Sequence, residues 1–139
     1  VIHMSSSPVS QHEVVRLTEQ LLAAIVEGNW ATYEKLCDPR LTCFEPEALG
    51  HLVQGLDFHR FYFADRSPGT AEASAPKKRV QVTVNQPQVW ATEQMAVIAY
   101  VRLVQVEQEG TRAVEETRVW QRIDGQWKHV HFHRSPPGS

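Results

Sequence analysis

At 139 residues the chain is the size of one domain, long enough to bury most of the surface its unfolded form exposes. Hydrophobic residues make up 42% and charged residues 22%, and the formal net charge of −2 weighs against nucleic acid as a main partner, because phosphate binding wants a basic excess. No apolar run approaches the ~20 residues of a membrane-spanning helix, so no membrane partner is expected.

Residues 1–10 are rich in Ser and open with no basic start and apolar core, so they read as a disordered tail or a cloning remnant and not as a signal peptide. Residues 11–135 read as one domain and residues 136–139 as a short tail. From Glu13 to Val26, Val14, Leu17, Leu21, Leu22 and Ile25 recur at the spacing of one helix face. Gly28 can take the left-handed position that ends this helix, and Asn29 caps a second, Trp30 to Cys37, which Asp38-Pro39 stops. Cys37 and Cys43 are the only cysteines; no CxxC pattern or Cys/His cluster accompanies them. They read as small buried apolar residues in a reducing, cytoplasmic setting.

Leu41 to Phe44 is a short strand broken by Glu45-Pro46-Glu47, whose glutamates read as a solvated turn. Gln54 to Phe63 is expected to be helical, with Phe58, Phe61 and Tyr62 on one face. Asp65 to Lys78 is the one low-complexity insert and reads as a mobile loop. Val80, Val82 and Val84 open a strand that Pro87 interrupts and Val89-Trp90 resumes. Gln94 to Glu107 is apolar on both faces, which places it inside the sheet. The last ribbon, Thr111 to Arg134, turns at Asp124-Gly125, the strongest short-range hairpin signal because both loop residues tolerate positive φ. Helices first and a run of antiparallel strands last make an α+β architecture, a curved sheet with helices on one face.

His129, His131 and His133 alternate at period two and fall on one strand face if pairing is regular. Same-face neighbours lie ~6.5–7 Å apart, too far for one ion to take all three, so no metal and no cofactor are assigned. The Trp residues and Phe58, Phe61 and Phe63 read mostly as core.

Several long stretches resemble one family. Cys37 to Phe63, CDPRLTCFEPEALGHLVQGLDFHRFYF, is similar to the association (hub) domain of calcium/calmodulin-dependent protein kinase II. So are Thr18–Ile25 (TEQLLAAI), Ile98–Leu103 (IAYVRL), Glu115–Trp127 (EETRVWQRIDGQW) and Val130–Ser135 (VHFHRS), in unbroken order from about Glu13 to Ser135. The resemblance implies a nuclear-transport-factor-2-like cone, a long N-terminal helix packed on a strongly bent antiparallel sheet. It implies no catalysis by the domain itself. It implies instead a self-assembling oligomerisation hub, dimers built into stacked double rings (dodecameric, tetradecameric or larger) that organise kinase subunits. No Gly-rich phosphate loop, HRD or DFG is present, and Asp57-Phe58-His59 resembles the last by letters only.

Arg102, Arg118 and Arg134 match three arginines that line a deep pocket in the resembled hub, and His59 matches a histidine near it. Converging guanidiniums are costly unless an anion neutralises them, so the implied ligand is a small carboxylate or an acidic segment. The alternative is that each arginine pairs with a local acid, such as Glu115, Glu116 or Glu93. An Asp124-Gly125 turn pairs positions whose numbers sum to 249, which sets Arg118 opposite His131 and turns Arg134 to the other face. A β-bulge or a sharp bend that shifts the parity somewhere in the ribbon is therefore predicted if both enter one cavity. The cone also hosts isomerases and dehydratases, so the alternative function is an enzyme acting on a small ligand, with His59 and either Tyr62 or Tyr100 as its acid/base pair.

Overall fold

The computed structural model describes residues 11–64 and 78–136. The expected tail at 1–10 and all but the last residue of the expected mobile loop, 65–77, lie outside the described residues. Among the described residues three α-helices and six strands follow in chain order, with a 3-10 turn at Pro46–Ala48 between the first two strands: α1 (Gln11–Glu27), α2 (Trp30–Leu36), β1 (Cys37–Phe44), β2 (Val53–Gln54), α3 (Asp57–Ala64), β3 (Val80–Ala91), β4 (Met95–Val106), β5 (Gly110–Ile123) and β6 (Gln126–Ser135). The strands form one sheet in the order β2-β1-β6-β5-β4-β3. Every pairing is antiparallel except β1 with β6, which run parallel.

Helix α1 buries Val14, Thr18, Leu21, Leu22 and Ala24. Thr18 holds its place in this apolar face because its hydroxyl donates to the Val14 carbonyl (2.9 Å) and accepts from the Trp120 indole (3.2 Å). The helix ends as expected: Gly28 has φ 69°, and the amides of Gly28 and Asn29 donate to the carbonyls of Ile25 and Ala24. Asn29 caps α2 through Thr32. Strand β1 starts earlier than the sequence suggests, at Cys37, so Asp38-Pro39 lies within it. Val53–Gln54 is a short strand, and the third helix begins only at Asp57.

The sheet is interrupted in three places. In β3, Gln86 (φ 52°) and Pro87 together oppose Tyr100, since Asn85 pairs with Val101 and Gln88 with Ala99. The β1–β6 register shifts between Cys37 and Thr42. In the ribbon, Asp124 (φ 51°) and Gly125 (φ 79°) form the expected two-residue turn, and pairs from Ile123–Gln126 to Trp120–His129 follow the 249 rule. At the next step Val119 pairs with His131, leaving Val130 extra. That is the predicted bulge, and such insertions bend the bulged strand. The core lies between the helices and the face carrying Ala96, Ile98, Tyr100, Trp120 and Phe132.

Candidate functional site

One extra residue at Val130 decides what meets what. Beyond the bulge Arg118 pairs with Phe132, not His131, and Glu116 pairs with Arg134. Three cross-strand rows then line the covered face. Ala96, Trp120, His129 and Cys37 form the first, Ile98, Arg118, Phe132 and Cys43 the second, and Tyr100, Glu116 and Arg134 the third.

Glu116 is the hub of the charges. Its Oε1 accepts from the Tyr100 hydroxyl (2.5 Å) and from Arg118 Nη2 (3.1 Å), and its Oε2 lies 3.3 Å from Arg102 Nε. Burial alone would raise this carboxyl, yet Arg118 and Arg102, with the Tyr100 and Arg118 hydrogen bonds, hold it below its ordinary value. Arg118 is 2% exposed and fully engaged. Its Nε donates to Tyr100 (2.8 Å), its Nη1 lies 3.3 Å from His129 Nε2, and its guanidinium stacks over the Phe132 ring at 4.5 Å. Burial opposes its charge, but Tyr100 and Glu116 keep it firmly cationic. Burial lowers Arg102 despite Glu116. Arg134 bridges Glu45 Oε2 (3.0 Å) and Glu47.

The three arginines, Phe132, Glu45 and Glu47 line one cavity of about 380 Å³. Arg102, Arg118, Arg134 and His59 all line it, so the four residues singled out from sequence do come together. Arg112 joins them, so four guanidiniums and two carboxylates, Glu45 and Glu47, line the cavity, with Glu116 buried behind Arg102 and Arg118. The local-acid alternative is therefore realised for three of the arginines. Among the described residues Arg112 has no carboxylate partner.

Comparison with known proteins shows the family. Residues 10–138 match the model of the calcium/calmodulin-dependent protein kinase II association domain. The chain belongs to this association-domain family. It is 48% identical over 130 residues to the rabbit (Oryctolagus cuniculus) kinase type II subunit delta and 46% identical over 134 residues to the Drosophila melanogaster type II alpha chain. It aligns over 90% and 93% of its own length but only 23% and 24% of theirs, so it spans about a quarter of those relatives. The matched quarter is the association domain, not the catalytic one.

The solved CaMKII hub homology domain of Chlamydomonas reinhardtii superposes with TM-score 0.80 at 48% identity, covering 90% of this chain and 96% of that one. The Caenorhabditis elegans association domain gives 0.76 at 42% identity, covering 90% and 94%. A Cytophaga hutchinsonii NTF2-like protein gives 0.69 at 19% identity, covering 92% and 99%, which shows the shared cone fold alone.

Elsewhere in the association domain the structure corrects the sequence reading. The three histidines of β6 do not share a face. His129 is buried against Trp120 and Phe132, with Nδ1 3.5 Å from Cys37 Sγ, while His131 bonds Thr42 (2.7 Å) and His133 packs on Phe44. Burial and the neighbouring Arg118 push His129 well below the usual imidazole value. Glu45 is not a solvated turn residue. It is 6% exposed, and its salt bridges draw it into the site.

Nor are the cysteines without a cluster. Cys43 Sγ, Glu45 Oε1 and His59 Nε2 lie within 4.8 Å of one another, all buried. Their signal was the alternation of Leu41, Cys43 and Glu45, which puts the glutamate on the buried side. The acid/base pair expected of an enzyme does not form with Tyr100. That hydroxyl is committed to Glu116 and Arg118, whereas His59 faces Cys43 and Glu45. The Tyr62 side chain lies outside the described residues.

Proposed function

We propose that the chain is a self-assembling hub whose dimers build stacked double rings, dodecameric, tetradecameric or larger, and that it organises kinase subunits. The match to the association domain across residues 10–138 carries this reading. A closed ring needs more than one interface per subunit, and it raises the effective concentration of whatever is attached. Trp90 on edge strand β3, 60% exposed, and Leu49, 86% exposed, supply apolar surface that such contacts would cover. Native mass spectrometry tests the proposal. Rings of a dozen or so chains are expected, and a mass that never exceeds a dimer at micromolar concentration overturns it.

The Arg102–Arg112–Arg118–Arg134 cavity is proposed to receive a small carboxylate or an acidic segment. Arg112, without a carboxylate partner among the described residues, supplies the charge, and Glu47, with a half-exposed side chain, is the displaceable one of the two acids on Arg134. Binding to the folded form must raise the melting temperature. Small mono- and dicarboxylates are expected to do so for the parent protein and not for Arg102→Gln. No shift in the parent, or an equal shift in the variant, removes the pocket from the account.

A further inference from the structure

We propose that Cys43, Glu45 and His59 form a zinc site beside the arginine cavity. Cys43 is the last buried residue of β1, Glu45 follows on the same face, and His59 lies in the first turns of α3. Gly55 makes the juxtaposition possible. With φ 85° it turns the chain back so that its amide donates to the Leu41 carbonyl (2.7 Å), which seats α3 against β1.

The separations fit the ion. His59 Nε2 lies 3.4 Å from Cys43 Sγ and 3.4 Å from Glu45 Oε1. Tetrahedral zinc with ligand bonds of about 2.0–2.3 Å has ligand–ligand edges of roughly 3.3–3.8 Å. The third edge, from Sγ to a Glu45 carboxylate oxygen, is within 4.8 Å and closes by up to about 1.3 Å when the ion binds.

The donors are also short of protein partners. Residue exposures are 0% for Cys43, 6% for Glu45 and 4% for His59. Glu45 Oε1 accepts no hydrogen bond, so its 3.4 Å approach to His59 is an electrostatic contact and not a hydrogen bond. A single ring nitrogen faces a thiol sulfur and a carboxylate oxygen at once, and one proton cannot bridge to both. A cation satisfies all three. Glu45 is already oriented for this, because Arg134 holds its other oxygen at 3.0 Å, the kind of supporting bond that fixes metal ligands.

Charge balance allows the ion despite the arginines. Zinc displaces the Cys43 thiol proton to solvent, and the thiolate and the Glu45 carboxylate together neutralise it. Imidazole, thiolate and carboxylate are a donor set that borderline-soft zinc accepts, and three protein ligands leave a fourth position. Glu45 and His59 line the cavity, so that position is reachable from it.

Cobalt(II) is the probe. Chelator-stripped full-length protein is titrated with cobalt, followed by its thiolate-to-cobalt charge-transfer absorption, and then with zinc. One cobalt per chain, a thiolate band and displacement by zinc are expected. Cys43→Ala, a mild change because a buried thiol packs like a small hydrophobe, should abolish the band. It should also weaken zinc binding beyond the roughly 10–100-fold cost of losing a supporting group. His59→Gln should do the same. Cys37→Ala, which removes the thiol beside His129, should leave the band unchanged. A missing band, a band that survives Cys43→Ala, or one lost in Cys37→Ala overturns the site. The reading is metal per chain, so a protein that takes cobalt yet fails to form rings keeps this site and loses only the hub.

Discussion

Replacing Glu116 with Gln isolates the charge that holds the cavity together. The side chain is fully buried and serves Arg118, Arg102 and the Tyr100 hydroxyl at once. Gln keeps one acceptor oxygen for Tyr100 or Arg118 but turns an amide N–H₂ or a neutral oxygen toward the others. Arg118 is only 2% exposed, so it becomes a buried cation without its compensating charge. Breaking a buried pair from one side costs about 3–5 kcal/mol. That is a large part of the roughly 5–15 kcal/mol that holds an ordinary domain together. For a chain of this size it corresponds to a fall in Tm of roughly 10–20 °C.

Chemical denaturation at fixed protein concentration measures this cost, since assembly makes apparent stability depend on concentration. The pH profile gives a second readout. Glu116 titrates below its usual value when folded, so its contribution is present above about pH 4.5 and is lost as pH falls through the folded value. The Gln variant should lose that acid-limb slope. A loss below about 1 kcal/mol, the size of an exposed ion pair, would refute the assignment of Glu116 as the compensating charge.

Three further outcomes follow from the same geometry. His129 stays neutral when folded, whereas an unfolded histidine takes a proton below about pH 6.5, so stability should fall as pH drops from there, by up to about 1.4 kcal/mol per unit. His129→Gln should flatten that limb, and an unchanged slope would place the titration elsewhere. Thr18→Val strands the buried Trp120 indole N–H and should cost about 1–3 kcal/mol in denaturant melts, with Thr18→Ser recovering most of it. Deleting Val130 removes the bulge yet leaves Phe132 opposite Arg118 and Arg134 opposite Glu116, so the strand loses its local bend while keeping its inward face, and stability in denaturant melts should fall. A deletion variant that melts like the parent would show that the bulge is dispensable.

Local signals fixed much of this architecture. The α1 stripe, the Gly28 stop, the Asn29 cap and the Asp-Gly turn each depend on a few adjacent residues, and each stands where periodicity and turn chemistry put it. The parallel β1–β6 pairing has no such local signature, because it joins residues some ninety positions apart. The site falls between these cases. Pairing arithmetic alone required a break between Arg118 and Arg134, but not its position. Its position at Val130 is what separates His129 from His131 and His133, so the same residue that completes the arginine cavity dissolves the histidine stripe.

Glu45 carries two opposed signals, because Pro46 beside it favours a turn while the period-two run from Leu41 through Cys43 favours an inward side chain. The inward signal prevailed because two partners, His59 and Arg134, were waiting for the carboxylate. A carboxylate supplied by the chain itself thus already sits on Arg134. For an incoming carboxylate, displacement of Glu47 is the cheaper route, since that acid returns to water while Glu45 stays buried. Removing Glu47 should therefore tighten carboxylate binding. Glu47→Gln is expected to give a larger thermal shift than the parent at equal ligand concentration, and an equal or smaller shift would show that the two acids do not compete with the ligand.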